Sequence, residues 1–588
     1  MLPSHTLAAA LLAALVSFPG FGQADRPNIL VVLSDDQGWG DLSLHGNTNL
    51  WTPNVDSLAR EGAQFENFYV SPVCSPTRAE FLSGRYHVRG GVYGTSAGSE
   101  RLGLEEPVFV EALKEAGYAT GGFGKWHNGA QFPYHPNARG FEEFYGFCSG
   151  HWGQYFDAWM DHNGEMVPGK GYIVDDITDK AIGFIEESGG TERPFFCYVA
   201  YNTPHSPMQV PDRWWEKFRD LELGMRHQDP SKEDVQHTRA ALAMCENIDW
   251  NVGRLLEAVR SVDAEEDTIV LYFVDNGPNG WRWNGGMKGR KGSTDEGGIR
   301  SPLLVRWPGH IPSNRTVDTV AGSIDLAPTL LDLAEVSWSP PKRFDGVSLK
   351  GPLFNTGDIA PRWLISHWNG RVTARSQRFR LDHQGHLFDI PVDRGQKVDV
   401  ASQHPQVHRE ATAVVTQWRE EVLSELERKT DPFTLGHPSA RWTQLPARDA
   451  VATPGIERSN RFPNSSYFRK WTSTEDRIAW NVTVPRGGRF RVWSLYAANE
   501  AAVGARLRLT FGVQSLAIAV DDPHPSPEIG ADQDRVRRVE GYEKNWTVED
   551  WGELELDAGS GELVLGADSL PGGESAEIRG LIFERLEP

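Results

Sequence analysis

The chain has 588 residues and a formal net charge of −21 at neutral pH. That length exceeds one ordinary core and leaves room for a large unit plus at least one smaller module. The acidic balance argues against general binding to nucleic acid or anionic membranes, which needs clustered Lys and Arg, so an anionic ligand must be held by local charge.

The opening stretch, MLPSHTLAAALLAALVSFPGFGQADR, carries an apolar run from Leu7 to Phe18 and then Gly22-x-Ala24, the pattern of a secretory signal over 1–24. The protein is expected to be exported, periplasmic or secreted. No Lys or Arg precedes the run, so a retained membrane anchor stays open as the alternative, the one route to membrane association. Cys74, Cys148, Cys197 and Cys245 have no framework spacing, which argues against a disulfide scaffold.

Next come NILVVL (28–33), YATGGFG (118–124), FFCYVAY (195–201) and TIVLYFV (268–274). These apolar, largely β-branched or aromatic runs predict buried parallel strands. Helices are predicted between them over 107–117, where Pro107 opens and Gly117 closes the segment, over 174–188 and over 234–261. The alternation predicts a doubly wound α/β domain over 25–344, with a last helix at 325–336. Strands RWLISHW and QRFRLDH, then a helix from about Ala411 to Arg428, predict a small α+β subdomain over 345–435. From 436 to 588 a polar linker leads to seven strand-like segments, from RIAWNVTVP to IRGLIFERL, which predict an all-β sandwich. A carbohydrate-binding role and a bracing role are both open for it.

In open α/β sheets ligands collect at the carboxyl ends of the strands. The four runs are followed by Ser34-Asp35-Asp36, Lys125-Trp126-His127, Asn202-Thr203-Pro204-His205 and Asp275-Asn276. An Asp-Asp pair alone equally fits a turn or a helix cap. Two oxygen clusters at neighbouring strand ends favour a hard cation, and flexible carboxylate-rich coordination in an exported protein favours Ca²⁺ over Mg²⁺. WNGGMKGRKGSTDEGGIRSP sets Lys288, Arg290 and Lys291 among glycines that allow close backbone approach to a ligand. A solvated basic loop would carry the same letters.

PVCSPTRAEFLSGR puts Cys74 just before a predicted helix, with Pro76 and Arg78 behind it. Cys-x-Pro-x-Arg, together with RPNILVVLSDDQGWGD, TPNVDSLAREGAQFENFY, GKWH, NTPHSP, DNG and GRKGSTDEGGIRSP in that order, resembles the type I sulfatases of the alkaline phosphatase superfamily over most of residues 26–430. Thr77 and Asn128 depart from the family's commoner residues. The resemblance implies an arylsulfatase-like sulfuric ester hydrolase in which a maturation enzyme oxidises Cys74 to formylglycine (3-oxoalanine). One hydroxyl of its hydrate attacks sulfur, and the other later expels sulfate. It further implies that Asp35, Asp36, Asp275, Asn276 and modified Cys74 bind one Ca²⁺. Arg78 holds the hydrate and carboxylates, Lys125 binds sulfate oxygens, His127 takes the hydrate proton, and His205 with Lys291 protonates the leaving oxygen.

A sulfated glycan or a small sulfate ester is the expected substrate. Aromatics of SGHWGQYFDAWMDHNG, with Trp281 and Trp283, are candidate sugar platforms, and His151, His162, Arg282 and Asn284 candidate hydroxyl contacts. A phosphate or phosphonate ester hydrolase and a noncatalytic glycan binder are the alternatives.

Overall fold

Ile29, Val31 and Leu33 point to one side of the first strand and Leu30 and Val32 to the other, and both sets are fully buried. A strand covered on both faces must be apolar throughout, which is why the four runs lack polar alternation. The protein is described here by a computed structural model covering residues 26–587; the signal expected over 1–24 lies outside them. Among the described residues no helix is long and apolar enough to cross a membrane.

The runs form β1 (Asn28–Asp35), β2 (Ala119–Lys125), β3 (Phe195–Pro204) and β4 (Thr268–Val274). β1 lies at the centre, with β3 and then β2 on one side and β4 on the other, all parallel. Ser34 pairs with Val274 and Asp35 with Pro204, so the carboxyl ends share one rim where the strand order turns about β1. Ligands settle at such a switch point. The full sheet has ten strands, extended past β2 by Glu143–Phe147, Trp159–His162 and Glu165–Pro168, and past β4 by Leu303–Arg306, Ala63–Phe65 and Arg315–Val317.

Helices α1 (Cys74–Ser83), α2 (Phe109–Glu115) and α5 (Leu326–Leu333) cover one face, and α3 (Ile173–Gly189) and α4 (Val235–Ser261) the other. All ten residues of α1 are buried, and Gly84 ends it at φ 66°. That left-handed position carries no Cβ penalty for glycine.

A four-stranded antiparallel sheet, from Leu364–Trp368 to Leu387–Asp389, packs with α6 (Pro405–Glu421) around its own core. α6 begins at Pro405, before the expected Ala411, because proline at a first helical position lacks no bond the helix needs. The seven predicted C-terminal strands form two sheets facing each other across one core of buried residues, among them Trp480, Val492, Leu565 and Phe583. The stretch expected as linker is built into this sandwich. Its residues Trp442–Pro446 run antiparallel to residues 580–584, and Phe433–Thr434, expected at the end of the α+β subdomain, instead pairs with Val482 and Thr483 of the sandwich.

Candidate active site

Side chains alternate along a strand, so Asp35 and Asp36 should face opposite ways. They do not, because Asp36 adopts φ 65°, and the left-handed turn swings it back over the rim. That backbone costs about 1–2 kcal/mol for a residue with a Cβ. The turn is held by the Asp36 amide, which donates to Asp275 Oδ1 at 3.1 Å, and by Arg282, which donates to the Asp36 carbonyl at 3.0 Å.

Three carboxylates and three cations interleave here. Arg78 donates to Asp275 Oδ2 from Nε at 3.2 Å and from Nη2 at 2.9 Å, and to the Lys125 carbonyl at 2.6 Å. Lys125 Nζ pairs with Asp35 Oδ2, and Lys291 Nζ reaches Asp36 Oδ1 at 2.6 Å. The charges of Asp35, Asp36 and Asp275 balance those of Arg78, Lys125 and Lys291. A bound divalent cation would leave a net positive hole suited to an anion. Asp35 Oδ1 and Asn276 Oδ1 are buried with no hydrogen-bond partner, and single atoms of Asp35, Cys74 and Asp275 lie within 4.8 Å of one another. Orphaned buried oxygens are rare. The oxygens of Asp35, Asp36, Asp275 and Asn276 fit a hard cation of the Ca²⁺ or Mg²⁺ class.

Burial raises Asp275 to about 7, with Asp35 adding to the rise. Burial also acts to raise Asp35, but Lys125 and the neighbouring cations outweigh it and hold this carboxyl well below its usual range. Burial works against the charge of Lys291, and Asp36 more than restores it.

Cys74 is the first residue of α1, its thiol pushed up by burial although Lys125 and Lys291 pull it down. Catalytic thiols show the opposite shift. The two departures from the family's common residues brace this helix. Thr77 Oγ1 donates to the Asp275 carbonyl at 2.6 Å and accepts from the Ser71 amide at 2.9 Å. Asn128 Nδ2 donates to the Ser75 and Glu100 carbonyls at 3.2 and 3.3 Å. Thr77→Val strips two buried groups of their partner, so stability should fall by about 1–3 kcal/mol in urea unfolding.

His127 also adopts φ 65°. Its Nε2 contacts the Thr95 carbonyl at 2.9 Å, which can only accept, so the proton sits on Nε2 and buried Nδ1 is a bare base. Burial, aided by Lys125, lowers this imidazole well below its ordinary value and keeps it neutral. His205 Nδ1 donates to the Ser206 carbonyl at 2.7 Å, and its Nε2 lies 3.7 Å from Asp36 Oδ2. Lys291 faces the same carboxylate, whereas Lys288 pairs with Asp295. Gly292, at φ 82°, donates its amide to the Pro72 carbonyl at 2.8 Å, closing the glycine-rich loop over the start of α1.

The structure thus gathers Asp35, Asp36, Cys74, Arg78, Lys125, His127, His205, Asp275, Asn276 and Lys291 at one rim. The candidate sugar contacts divide. His151 lies 5.6 Å from His205 between ring centroids. Arg282 and Asn284 have their polar groups engaged within the protein: Arg282 pairs with Asp41 at 2.6 Å, and Asn284 bonds the Gly40 amide and the Gly297 carbonyl. They brace loops because the acceptors beside them are buried and need donors. His162 pairs at the surface with Glu143. Trp152, Phe156 and Trp159 line a cavity of about 660 Å³, with Trp442, Trp493 and Trp546 of the sandwich also on its wall. Sequence reading missed Glu540, which accepts from Ser206 Oγ at 2.5 Å across 334 residues of chain. Nothing local to its segment signals that contact.

A family model described as Sulfatase matches residues 27–336. N-acetylgalactosamine-6-sulfatase of Canis lupus familiaris is 32% identical over 375 residues, covering 58% of this chain and 68% of that enzyme. Arylsulfatase G of Rattus norvegicus is 31% identical over 422 residues, covering 62% and 76%. The crystal structure of Ps i-CgsB in complex with k-i-k-neocarrahexaose is similar with a TM-score of 0.61 and 27% identity, covering 68% of this chain and 94% of that one. The family match runs through every strand that ends at the site and on through the glycine-rich loop, and this chain belongs to the sulfatase family as a type I, arylsulfatase-like enzyme.

Proposed function

We propose that this sulfatase is an exported enzyme that removes sulfate from a sulfated carbohydrate, using residue 74 as formylglycine and one bound Ca²⁺. One observation carries the reading. The first residue of a buried Cys-x-Pro-x-Arg helix lies within 4.8 Å, atom to atom, of Asp35 and Asp275, at a rim where Asp35 Oδ1 and Asn276 Oδ1 are buried without partners. Residues 25–344 form the catalytic domain, 345–435 its C-terminal subdomain and 436–588 an accessory module.

Asp35, Asp36, Asp275 and Asn276 would hold the ion with residue 74, and the ion would supply charge that draws in and orients the anionic ester. Arg78 fixes Asp275 and sets its angle to the helix. Lys125 lies where it can share its charge between Asp35 and a sulfate oxygen. His127 Nδ1 is the base for the hydrate proton. Burial and Lys291 hold His205 below its ordinary value, and an anionic ester in the site would supply the negative charge that favours a proton on Nε2. Lys291 stands beside it, and together they protonate the departing oxygen.

That last role depends on the leaving group. A sugar alkoxide needs the proton and a nitrophenolate does not, so His205→Ala should lower kcat for a sugar sulfate by about 10²–10⁴-fold and for 4-nitrophenyl sulfate far less. Equal losses on the two esters would remove His205 from the acid role.

The carbohydrate part rests on the tryptophan-lined cavity and on similarity to Ps i-CgsB, whose structure holds an oligosaccharide. Tryptophan faces stack on sugar rings while their N–H finds polar partners, and Trp493 Nε1 is buried without one. Trp493→Ala should raise KM for a sulfated oligosaccharide about ten-fold, which corresponds to about 1.4 kcal/mol. The deciding experiment is turnover of sulfate and phosphate monoesters side by side, extended to a panel of sulfated mono- and disaccharides. A large preference for phosphate overturns the proposal.

A further inference from the structure

Residues 521–546 leave the sandwich between strands Gln514–Ala519 and Thr547–Leu556 and fold onto the catalytic domain. The segment is clamped to both loops beside His205. The Arg535 amide donates to the Met208 carbonyl at 2.9 Å, and its guanidinium to the Val210 carbonyl at 2.7 Å. Gln209 Nε2 donates to the Gly530 carbonyl at 2.9 Å, and Arg538 donates to the Gly153 carbonyl at 2.6 Å. This fixes Glu540 beside Ser206, next in sequence to His205, and near His151.

His151 is 7% exposed, and both its ring nitrogens are buried without a hydrogen-bond partner. Burial, reinforced by His205, brings it down to about 3 and keeps it neutral, with one nitrogen to donate and one to accept. Glu540 accepts from the Ser206 hydroxyl at 2.5 Å and, against the pull of burial, stays below the ordinary carboxylate value as an acceptor-only carboxylate. The cations nearby are committed elsewhere, Arg538 to Asp534 at 2.6 Å and Arg579 to Glu543 at 3.0 Å. Among the described residues no lysine or arginine forms an ion pair with Glu540.

A carboxylate is a poor neighbour for an anionic substrate unless it faces the neutral part of the molecule. The acid role proposed for His205 sets the leaving alcohol against this imidazole, whose neighbours on the side of the accessory module are His151, at 5.6 Å between ring centroids, and Ser206 with Glu540. We propose that Glu540 and His151 form a subsite that binds unsubstituted hydroxyl groups of the sugar leaving group and disfavours a second sulfate or a carboxylate there. The accessory module then sets specificity from within the active site. Hydroxyls match both partners, whereas an anion would leave like charges facing each other, a repulsive element that discriminates between substrates. The inference rests on the sugar sulfate reading above.

The test uses the matured, metal-loaded full chain and three probes: 4-nitrophenyl sulfate, the monosulfated monosaccharide the wild type turns over fastest, and that sugar's disulfated counterpart. Glu540→Gln keeps size and removes charge. Its kcat/KM for the monosulfated sugar should fall at least ten-fold more than for the aryl ester, and its ratio of disulfated to monosulfated turnover should rise. His151→Asn should show the same sugar-selective loss, with melting temperatures checking that both variants fold. Equal losses on sugar and aryl esters would mean that Glu540 makes no contact particular to the sugar, and would overturn the subsite. A sugar-selective loss with the disulfated-to-monosulfated ratio unchanged would mean that it only positions the acid His205 through Ser206, and would overturn the subsite too. A wild type that cleaves 4-nitrophenyl sulfate but no sulfated sugar overturns the substrate reading, and the subsite falls with it.

Discussion

Cys74→Ala is expected to abolish sulfate ester turnover, by about 10⁶-fold as for other enzymes stripped of a nucleophile, while the protein stays folded. The fold does not depend on the thiol. α1 is fixed by Thr77 to the Asp275 carbonyl, by Arg78 to Asp275 and the Lys125 carbonyl, and by burial of Ala79, Phe81 and Leu82. None of these contacts uses Sγ. Removing one buried sulfur costs on the order of 1–2 kcal/mol, below the cost of a leucine-to-alanine change. A serine at the same place could attack sulfur once but would remain a stable sulfate ester, so Cys74→Ser should show a single turnover and trapped sulfate. Mass spectrometry of the peptide containing residue 74 provides the companion check. A fully active preparation that retains the thiol would refute the formylglycine assignment, as would full activity of the alanine variant.

Stripping the divalent cation is expected to have the next largest effect. Exhaustive chelation should lower kcat/KM by about 10³-fold or more, since charge stabilisation by a bound ion is worth several kcal/mol. Added Ca²⁺ should restore it better than Mg²⁺. Chelation should also lower the melting temperature, because an ion at 100–1,000 times its Kd stabilises the native state by about 2.7–4.1 kcal/mol. The structural reason is the balance among Asp35, Asp36 and Asp275 and their three cations. Without the ion, Asp35 Oδ1 and Asn276 Oδ1 stay buried and unpaired. Asp35→Asn should damage both functions, because it weakens the ligand set and leaves Lys125 buried at 1% exposure without its countercharge. Breaking a buried pair in this way costs about 3–5 kcal/mol. Unchanged activity with metal analysis showing no bound ion would exclude a cation role.

The rim was legible because the residues after four apolar runs must converge once those runs pair in parallel, and their register aligns the ends. Lys291 and the Asp36 turn were readable only as positions, since a left-handed aspartate has no local sequence mark. The outer strands Ala63–Phe65, Arg315–Val317 and Trp159–His162 are three or four residues long, too short for a period of two to declare itself. Arg282 was a candidate hydroxyl contact by residue type alone, and in the fold buried Asp41 pairs with it. Glu540 was out of reach for a different reason. Its place depends on how two separately cored units dock, which neither propensity nor hydrophobic period encodes.

The complete burial of α1 has a consequence for how the enzyme is made. Residue 74 is 3% exposed, and the helix behind it, including Pro76 and Arg78, has no free face. A modifying enzyme that must grasp this segment in extended form cannot reach it once the sheet and helices have closed around it. On the proposal that residue 74 becomes formylglycine, its oxidation has to precede folding, on the emerging or still unfolded chain, and the yield of active enzyme would be set by a race between two rates.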